Sequence, residues 1–380
     1  MKITGIICEY NPLHLGHFKQ MKLCKENSDT ALVCLMSGNF VQRGMPAILD
    51  RTARAKAAVL CGADLVLEMP VTGSLSSAEG FAKTGVDILA PFCHELCFGA
   101  ETNDKTLLMN TAKTLLSEEF SGALRLFLDQ GLSFPAARQK AMEQLGCDGS
   151  LLETPNNILA VEYCKAILTG SHHMAPMPIL REGGYHDALP DPENPSATAV
   201  RAFMEEGRQW EAFVPEAAAA CFREEPVHRL AYGEKAILTR LRCMTEAEFE
   251  ALPYGSEGLW RKLWHNVRSK ASLEEILQET KSKRYTRTRL DRMVMCGFLG
   301  ITEAQMVSPA PYVRVLAFND TGRKILKTAR ESGNYVNLGE RTEAPWQLLE
   351  DRCSDLYALF AKEPEPPGRN NRDRVYYHKD

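Results

Sequence analysis

Two histidines three residues apart, His14 and His17, are the side chains of this sequence best suited to chemistry. They follow an apolar run at residues 3–8 that predicts a buried strand, and they precede a helical pattern. N–H groups at a helix start favour anions, and two imidazole donors there can stabilise the charge that grows on a triphosphate when its α-phosphorus is attacked. Gly16 leaves room for a nucleotide base to lie flat against the backbone. The simpler alternative is a pair of surface histidines at a helix start.

The residues around these histidines predict a strand-to-helix turn. Pro12 suits a first helical position, and a stripe of apolar side chains follows at Leu15, Phe18, Met21 and Cys24. In an α/β sheet such a turn lies at the carboxyl end of its strand, where ligands gather. The opening segment therefore predicts a phosphate site.

Length and composition limit the class of protein. The chain has 380 residues, 44% of them hydrophobic and 25% charged, which is ordinary globular composition with room for two domains. Its net charge of −4 means that any nucleic-acid site must be a local basic patch. The sequence has no basic leader segment and no run approaching the roughly 20 apolar residues of a membrane span, so a cytoplasmic protein with no membrane partner is expected. It carries no signal for the oligomeric state.

The twelve cysteines are scattered singly, often within apolar segments, as buried reduced thiols are. Cys93 and Cys97 form the one close pair. A metal site could be imagined from this pair with His94 and the distant His172 and His173, but no second ligand pair has suitable spacing. We therefore predict no metal bound by protein side chains.

Apolar strand patterns alternate with helical patterns through the first 205 residues, which predicts an α/β domain with a parallel sheet. We expect strands at residues 30–36, 64–69, 94–99 and 177–181, the last of the sheet, and helices at 50–61, 103–118, 119–131, 135–145 and 156–168. Asp50 should cap the second helix and Gly62 should end it. Neither a P-loop nor a dinucleotide-binding glycine motif occurs.

The pattern changes near residue 205, and residues 206–362 are expected to form a mainly helical domain. Within them, residues 281–292 carry six basic residues against one acidic residue, interleaved with Tyr285 and hydroxyls, which suits phosphate contacts and base stacking on RNA. The alternative is a solvated helix start capped by Thr286 or Thr288. Residues 363–380 are rich in proline and polar residues and are expected to fray.

Polar residues that follow other predicted strands are candidates for the same site as the histidines. The loop after the second strand carries Gly38, Asn39, Gln42 and Arg43 and could hold a second substrate. Gly99 ends another strand, where it could let a nucleotide approach the backbone; a plain turn is the alternative. In the pair Asn156-Asn157, Asn156 can cap a helix and leave Asn157 to recognise a base or ribose.

Residues 195–201, Pro-Ser-Ala-Thr-Ala-Val-Arg, resemble the I-S-S-T-x-I-R segment of many HIGH-superfamily adenylyltransferases, with Ser196, Thr198 and Arg201 matching. That segment holds the β- and γ-phosphates in those enzymes; an ordinary helix cap is the alternative. His14-Leu15-Gly16-His17 is similar to the H-x-G-H signature of the same superfamily. A K-M-S-K-S-like loop is absent, which disfavours a class I aminoacyl-tRNA synthetase.

Taken with the motifs S-G-N-F-V-Q-R-G-M-P-A, F-G-A-E, P-N-N-I-L, R-E-G-G-Y-H-D and K-R-Y-T-R-T-R-L, the chain resembles the bacterial tRNA(Met) cytidine acetate ligase family over nearly its full length. The resemblance implies a HIGH-type nucleotidyltransferase domain at residues 1–205 that uses ATP, with Mg²⁺ expected, to activate acetate as acetyl-adenylate. The acetyl group would then pass to N4 of the wobble cytidine in the anticodon of elongator tRNA(Met).

The resemblance also implies functional residues. His14, His17, Ser196, Thr198 and Arg201 are the expected catalytic group. The expected ATP-binding residues are Ile7, Cys8, Glu9, Tyr10, Asn11, Pro12, Leu13, His14, Leu15, Gly16, His17, Phe18, Lys19, Gln20, Gly99, Asn157, Arg181 and Glu182. The expected tRNA-binding residues are Lys281, Lys283, Arg284, Arg287, Arg289 and Arg292.

Two other functions share some of these features. A small-molecule adenylyltransferase acting on nicotinate mononucleotide or phosphopantetheine would have the same histidine turn, but it needs little beyond the α/β domain. A non-catalytic RNA-binding protein would keep the basic segment and would not need two histidines at a helix start.

Overall fold

A largely parallel sheet forms the centre of the molecule in the computed structural model, which describes residues 1–26, 29–181, 195–282, 285–329, 334–343 and 345–379. The strands of the described residues are β1 (Lys2–Cys8), β2 (Thr30–Ser37), β3 (Phe40–Val41), β4 (Met45–Pro46), β5 (Leu65–Met69), β6 (Glu95–Ala100), β7 (Ala175–Leu180), β8 (Val313–Phe318), β9 (Tyr335–Asn337) and β10 (Tyr376–Tyr377). The sheet has the order β10-β8-β5-β2-β1-β6-β7, with β9 also paired to β8, while β3 and β4 form a separate hairpin. The predicted α/β fold is confirmed.

Helices cover both faces of this sheet and form most of the chain after residue 205. In the described residues they are α1 (Leu15–Cys24), α2 (Arg51–Leu60), α3 (Val71–Ser74), α4 (Ala78–Leu89), α5 (Lys105–Leu115), α6 (Glu118–Asp129), α7 (Phe134–Gln144), α8 (Pro155–Thr169), α9 (Ala197–Glu206), α10 (Glu216–Phe222), α11 (Leu230–Cys243), α12 (Glu246–Glu250), α13 (Leu259–Ser269), α14 (Leu273–Thr280), α15 (Arg287–Leu299), α16 (Glu303–Val307), α17 (Asp320–Ala329), α18 (Trp346–Tyr357) and α19 (Arg369–Arg372). None of these helices is both long enough and apolar enough to cross a membrane.

Strand β1 lies in the middle of the sheet, paired in parallel with β2 on one side and β6 on the other. Because parallel strands align their carboxyl ends, the loops after β1, β2, β5 and β6 meet along one edge. One apolar core lies between the sheet and helices that include α4 and α8, and a second lies between its other face and α1, α2 and α10. The sheet therefore holds the histidine turn between two buried layers.

The C-terminal part of the chain completes the sheet, which corrects two expectations. Residues 177–181 do not supply its last strand, because β8 pairs antiparallel with β5 and brings β9 and β10 with it. A boundary near residue 205 therefore does not separate the sheet from the helical part. Hydrophobic periodicity cannot show which distant strand will be a neighbour, so this pairing is not predictable from the sequence pattern.

The described residues 363–379 are docked, contrary to the expectation that residues 363–380 fray. The Arg369 guanidinium lies 3.4 Å from the Asp50 carboxylate, and Arg51 Nη2 donates to Asn370 Oδ1 at 2.7 Å. Strand β10 pairs with β8. Polar residues hold this segment because their partners, Asp50 and Arg51, are themselves buried.

The start of α1 differs from the prediction as well. Pro12 lies in a turn after a cis Asn11–Pro12 peptide, and the helix begins only at Leu15, with His14 as its N-cap. Met21 and Cys24 are buried as expected, whereas Leu15 and Phe18 are only half-buried. Asp50 does cap α2, accepting from the Thr52 N–H.

Candidate active site

A fully buried arginine, Arg54, supports the turn between β1 and α1. Arg54, with 0% of its surface exposed, donates to the carbonyls of Glu9, Ser37, Gly38 and Leu49. These carbonyls belong to the loop after β1, to the end of β2 with the loop after it, and to the residue before the N-cap of α2. Arg54 thus fixes the spacing of two loops at this edge of the sheet. Its role is not predictable from the sequence, because an arginine inside a helical pattern resembles a solvent-exposed arginine.

The two histidine rings stack on each other at the start of α1, with centroids 3.7 Å apart. His14 Nδ1 accepts from the Gly16 N–H at 3.1 Å, and His17 Nδ1 accepts from the His14 N–H at 3.4 Å. Because both Nδ1 atoms act as acceptors, the neutral rings carry their protons on Nε2. The two rings are therefore adjacent, and the Gly16 N–H is used within the turn and is not available to an anion.

The histidines are not the surface residues that the simpler interpretation assumed. His14 is 4% exposed and His17 is half-buried. Burial lowers the pKa of His14 well below its usual value, helped by the charges of His17, Arg181 and Arg201. Burial, with Arg181 next, lowers the pKa of His17 to about 3. Both rings are therefore neutral donors near pH 7, placed in a field that favours an anionic ligand.

Helix α9 brings a second arginine to this turn. Arg201 Nη1 donates to the Asn11 carbonyl at 2.7 Å, and its Nη2 donates to Thr198 Oγ1 at 3.1 Å. Ser196 is the N-cap of α9 and accepts from the Ala199 N–H, so the cap interpretation holds for its side chain. The carbonyl of Pro195 lies 4.0 Å from the place that a Cβ on Gly16 would take. The start of α9 therefore faces the start of α1 across Gly16.

The end of β6 forms a network with the start of α8. Glu101 accepts from Asn156 Nδ2, from Thr154 Oγ1 and from the Asn157 N–H, each at 2.8 Å, and its own N–H donates to Asn157 Oδ1. The expected cap at Asn156 is wrong, because Thr154 is the N-cap and Glu101 takes the helix N–H. Asn157 is buried, with its amide oxygen occupied. Glu101, which we had not proposed as a site residue, organises this corner.

Arg181 extends from this network toward the histidines. Its Nη1 lies 3.3 Å from Asn156 Oδ1, and its side chain crosses Gly99 so closely that a Cβ there would lie 3.0 Å from Arg181 Cγ. Gly99 therefore makes room for Arg181. Glu182, and with it most of the R-E-G-G-Y-H-D motif, lies outside the described residues.

The remaining residues of the ATP-binding prediction line or support the same turn. Asn11 Oδ1 accepts from the Ile48 N–H at 2.7 Å, and the Tyr10 ring lies 5.1 Å from His17. Gln20 Nε2 contacts Cys97 Sγ at 3.5 Å. Ile7, Cys8, Glu9 and Leu13 are partly or fully buried, and Phe18 and Lys19 lie farther along α1.

The predicted substrate loop lies beside the turn, although its polar residues have different roles. Asn39 is buried and holds the start of α2, accepting from the Arg51 N–H at 2.9 Å and donating to Asp50 at 3.3 Å. Gly38 packs on the Glu68 side chain, where a Cβ would collide. The Gln42 N–H donates to Glu9 Oε1 at 2.8 Å. Arg43 is exposed and is among the charges that lower the pKa of Arg201, after burial.

The expected tRNA-binding residues divide into exposed and engaged side chains. Lys281 is exposed, whereas Arg287 pairs with Glu274 at 2.7 Å and with Asp291 at 2.8 Å. Arg289 donates to the Tyr254 carbonyl, and Arg292 covers the Tyr254 ring. Thr286 caps α15, accepting from the Arg289 N–H, as the alternative interpretation required. Lys283 and Arg284 lie outside the described residues.

Metal-ligand chemistry has no support in the part of the chain that the structure describes, where no group of three or more His, Cys, Asp and Glu side chains could hold an ion. His94 Nδ1 accepts from the Ile3 N–H, and His172 pairs with Asp87 at 2.9 Å. These two histidines thus have partners other than Cys93 and Cys97.

Comparison with known proteins places this geometry among nucleotide-using enzymes. Residues 1–372 match the family model described as HIGH Nucleotidyl Transferase. The chain is 36% identical over 354 residues to a tRNA(Met) cytidine acetate ligase of Clostridium novyi, covering 88% of each chain. It is 35% identical, over an alignment of 392 positions with gaps included, to the enzyme of that name from Clostridium acetobutylicum. The alignment covers 96% of this chain and 97% of the relative.

Solved structures agree with the sequence relatives. The fold matches Thermotoga maritima TmcAL bound with alpha-thio ATP, with a TM-score of 0.88, 28% identity and full coverage of both chains. It matches the apo form of that protein with a TM-score of 0.90 and 29% identity. The likeness therefore extends over the sheet and the helical part together.

Proposed function

Because this chain belongs to the tRNA(Met) cytidine acetate ligase family of HIGH nucleotidyl transferases, we propose that it activates acetate with ATP and acetylates N4 of the wobble cytidine of elongator tRNA(Met). The observation that carries the proposal is the stacked pair His14 and His17 at the start of α1, with Arg181 and Arg201 among the charges acting on it. Two neutral donors and two cations around one turn suit a triphosphate.

The first step is formation of acetyl-adenylate. An acetate oxygen attacks the α-phosphorus of ATP, the bond to the β-phosphate oxygen breaks, and pyrophosphate leaves. The Nε2–H groups of His14 and His17 donate to the phosphate oxygens on which charge grows, and Arg201 holds the leaving group. Arg201 is suited to this because Asn11 and Thr198 already fix its guanidinium. Preorganised donors of this kind contribute because they need no rearrangement as the charge develops.

The second step transfers the acetyl group. Cytosine N4 is a weak nucleophile because its lone pair is delocalised into the ring, so it requires an acetyl group with a good leaving group. N4 attacks the acetyl carbonyl carbon of the mixed anhydride, AMP departs, and N4 loses a proton. The target base must leave the anticodon stack to reach this carbon.

The nucleotide with its Mg²⁺, acetate and tRNA would each meet a different part of the protein. Mg²⁺ would be held mainly by the phosphates of ATP, as is usual for this ion, and its charge would offset that of the triphosphate. Gly99, Asn157, Arg181 and Glu182 would surround the nucleotide, and Arg43 in the loop after β2 would meet acetate. The helical part with Lys281, Lys283 and Arg284 would contact tRNA, and the enzyme would work in the cytoplasm, where it meets this substrate.

Labelled acetate, ATP and purified tRNA test this function. We expect acetate-dependent exchange of pyrophosphate into ATP without tRNA, and labelled N4-acetylcytidine only when tRNA(Met) is added. A small-molecule adenylyltransferase would show no exchange with acetate, and a non-catalytic RNA-binding protein would bind tRNA without consuming ATP. Either result would contradict the proposal.

A further inference from the structure

One residue, Gln42, connects the histidine turn with the helical part of the molecule through its backbone N–H and carbonyl. The Gln42 N–H donates to the Glu9 carboxylate at 2.8 Å, and the Gln42 carbonyl accepts from Arg292 Nη1 at 3.4 Å. Glu9 comes directly after β1, whereas Arg292 lies on α15. The segment of residues 38–46, which we call the β2 loop, is therefore held from two sides at one residue.

Backbone packing holds the β2 loop against α15 as well. Gly44 has a φ of +76°, which favours glycine, and a Cβ there would lie 2.4 Å from the backbone nitrogen of Arg292 and 2.5 Å from the carbonyl carbon of Asp291. A helix backbone cannot move aside as a flexible side chain can. The absence of a side chain at residue 44 thus allows the loop to lie directly on the helix.

The Arg292 side chain is itself fixed in place. Its guanidinium lies over the Tyr254 ring at 5.0 Å from the centroid. Tyr254 donates its hydroxyl proton to the Leu75 carbonyl at 2.7 Å, and its own carbonyl accepts from Arg289 at 2.8 Å. Because Tyr254 is tied both to the α3–α4 connection and to α15, it is a firm support for Arg292.

From these contacts we infer that Arg292 is a positioning residue for acetate activation, acting through the β2 loop rather than on substrate or RNA. The loop carries Arg43, the residue after Gln42, close enough to Arg201 for their charges to interact. If Gln42 shifts, Arg43 shifts with it. The inference rests on the proposed function, because it assigns a role in that reaction to a residue of the helical part.

Two substitutions perturb the same contact in different ways. Arg292→Gln removes the donor and the ring contact, and Gly44→Ala inserts a methyl group against the helix backbone. The matched control is Arg261→Gln, since Arg261 is an exposed arginine of α13 that also covers an aromatic ring, Trp260, at 4.8 Å, without touching the loop. Arg292→Lys keeps a donor but loses the planar group that stacks on the ring.

The kinetic readout is acetate-dependent pyrophosphate exchange without tRNA. We expect Arg292→Gln and Gly44→Ala to lower kcat/KM for acetate about tenfold or more, with the Kd for a non-hydrolysable ATP analogue within about twofold of the wild-type value. For Arg292→Lys, kcat/KM for acetate should lie between the values of Arg292→Gln and the wild type. Arg261→Gln should have the kcat/KM of the wild type. If the first two variants lower only the thermal midpoint and leave kcat/KM for acetate unchanged, Arg292 is merely structural and the inference is wrong.

Hydrogen exchange provides a readout that does not depend on activity. The Gln42 amide, which donates to Glu9, should exchange at least about tenfold faster in Arg292→Gln and Gly44→Ala than in the wild type or in Arg261→Gln. Unchanged protection would overturn the inference even if the enzyme proved to have another substrate. If the wild type is active and Arg292→Gln and Gly44→Ala match it in kcat/KM for acetate and in protection of the Gln42 amide, the inference is wrong. The proposed function is then still supported.

Discussion

At the scale of single residues, the protonation state of the two histidines decides how they can act. Burial lowers the pKa of both, and their Nδ1 atoms accept backbone N–H groups. They can therefore donate from Nε2 as neutral rings but cannot serve as permanent cations. The positive charge of the site comes from Arg181 and Arg201, so donors and cations are separate groups here.

Replacement of His17 tests the donor role. We expect His17→Asn to reduce acetate-dependent pyrophosphate exchange on the order of 10²–10³-fold, the usual effect of losing one such donor. Asparagine is preferable to alanine because His17 also takes part in the capping box of α1, and losing a cap costs roughly 0.5–2 kcal/mol of stability.

The control for that experiment is His94→Asn. His94 is an exposed histidine whose Nδ1 also accepts a backbone N–H, that of Ile3, at the opposite edge of the sheet. Its replacement should leave exchange unchanged. A loss below tenfold in His17→Asn would count against a catalytic role for that residue.

The lowered histidine pKa values also predict how stability depends on pH. A histidine has a pKa near 6.5 when unfolded, and His17 has one of about 3 in the folded protein. The contribution of His17 to the free energy of unfolding is therefore complete above pH 6.5. It is lost as the pH falls from 6.5 toward 3, because only the unfolded chain takes up the proton.

Urea unfolding at a series of pH values measures this effect. Between pH 6 and 5, the free energy of unfolding of the wild type should fall more steeply than that of His17→Asn, by up to about 1.4 kcal/mol per pH unit. Parallel curves for the two proteins would show that His17 titrates normally in the folded state.

At the scale of secondary-structure elements, local sequence signals predict the strands and helix caps that depend only on neighbouring residues. The strands before and after α2, the cap at Asp50 and the capping hydroxyl of Thr286 all follow from short-range patterns. Pro12 predicts a helix that begins there, whereas in the structure His14 serves as the cap and α1 begins at Leu15. A histidine is rarely a cap, so the sequence rules did not suggest it.

The element proposed to bind tRNA is the start of α15 with the residues before it. Arg287 and Arg289 already have protein partners, so Lys281, Lys283 and Arg284 are better candidates for phosphate contacts. Changing these three to Gln should weaken tRNA binding and reduce the slope of log K against log salt by roughly 2–3, since each lost contact removes about 0.7–0.9.

Acetate activation should survive those three changes. The control replaces Lys105, Lys113 and Lys140, three exposed lysines of α5 and α7, with Gln, which alters the net charge equally. Equal losses of tRNA affinity in both triple variants would mean that only overall charge matters. An unchanged salt slope in the first variant would place the tRNA surface elsewhere.

At the scale of the whole molecule, the site depends on contacts that join distant parts of the chain. The buried Asp50 and Arg51 at the start of α2 meet Arg369 and Asn370, more than 300 residues away in sequence. Nothing local in the proline-rich segment suggests this docking, and nothing local in β8 indicates that β5 is its neighbour. The histidine turn was predictable because its residues are close in sequence, whereas the distant residues that support it were not.

Removal of residues 363–380 should therefore harm the active site. The loss of Arg369 removes one of the two arginines whose charges act on the buried Asp50 carboxylate, the other being Arg51, and the expected cost is about 3–5 kcal/mol of stability, as for other broken buried pairs. Acetate-dependent exchange should fall as well, because α2 carries Arg54, which holds the loops after β1 and β2. Thermal unfolding and pyrophosphate exchange measure the two effects.

A shorter deletion provides the control for this truncation. Removing only residues 379–380 leaves Arg369, Asn370 and β10 in place, and the resulting protein should match the full chain in both assays. Wild-type stability after removal of residues 363–380 would show that the docked segment contributes nothing to α2.

The late entry of β8 and β10 into the sheet has a consequence for synthesis on the ribosome. The first 205 residues emerge with β5 exposed along one edge and with Asp50 and Arg51 lacking Asn370 and Arg369. An unpaired strand edge invites pairing with other chains, so the nascent protein is vulnerable until its final strands leave the exit tunnel. A message broken before the codon for Val313 would therefore yield a fragment in which the edge of β5 is never covered, and such a fragment should aggregate.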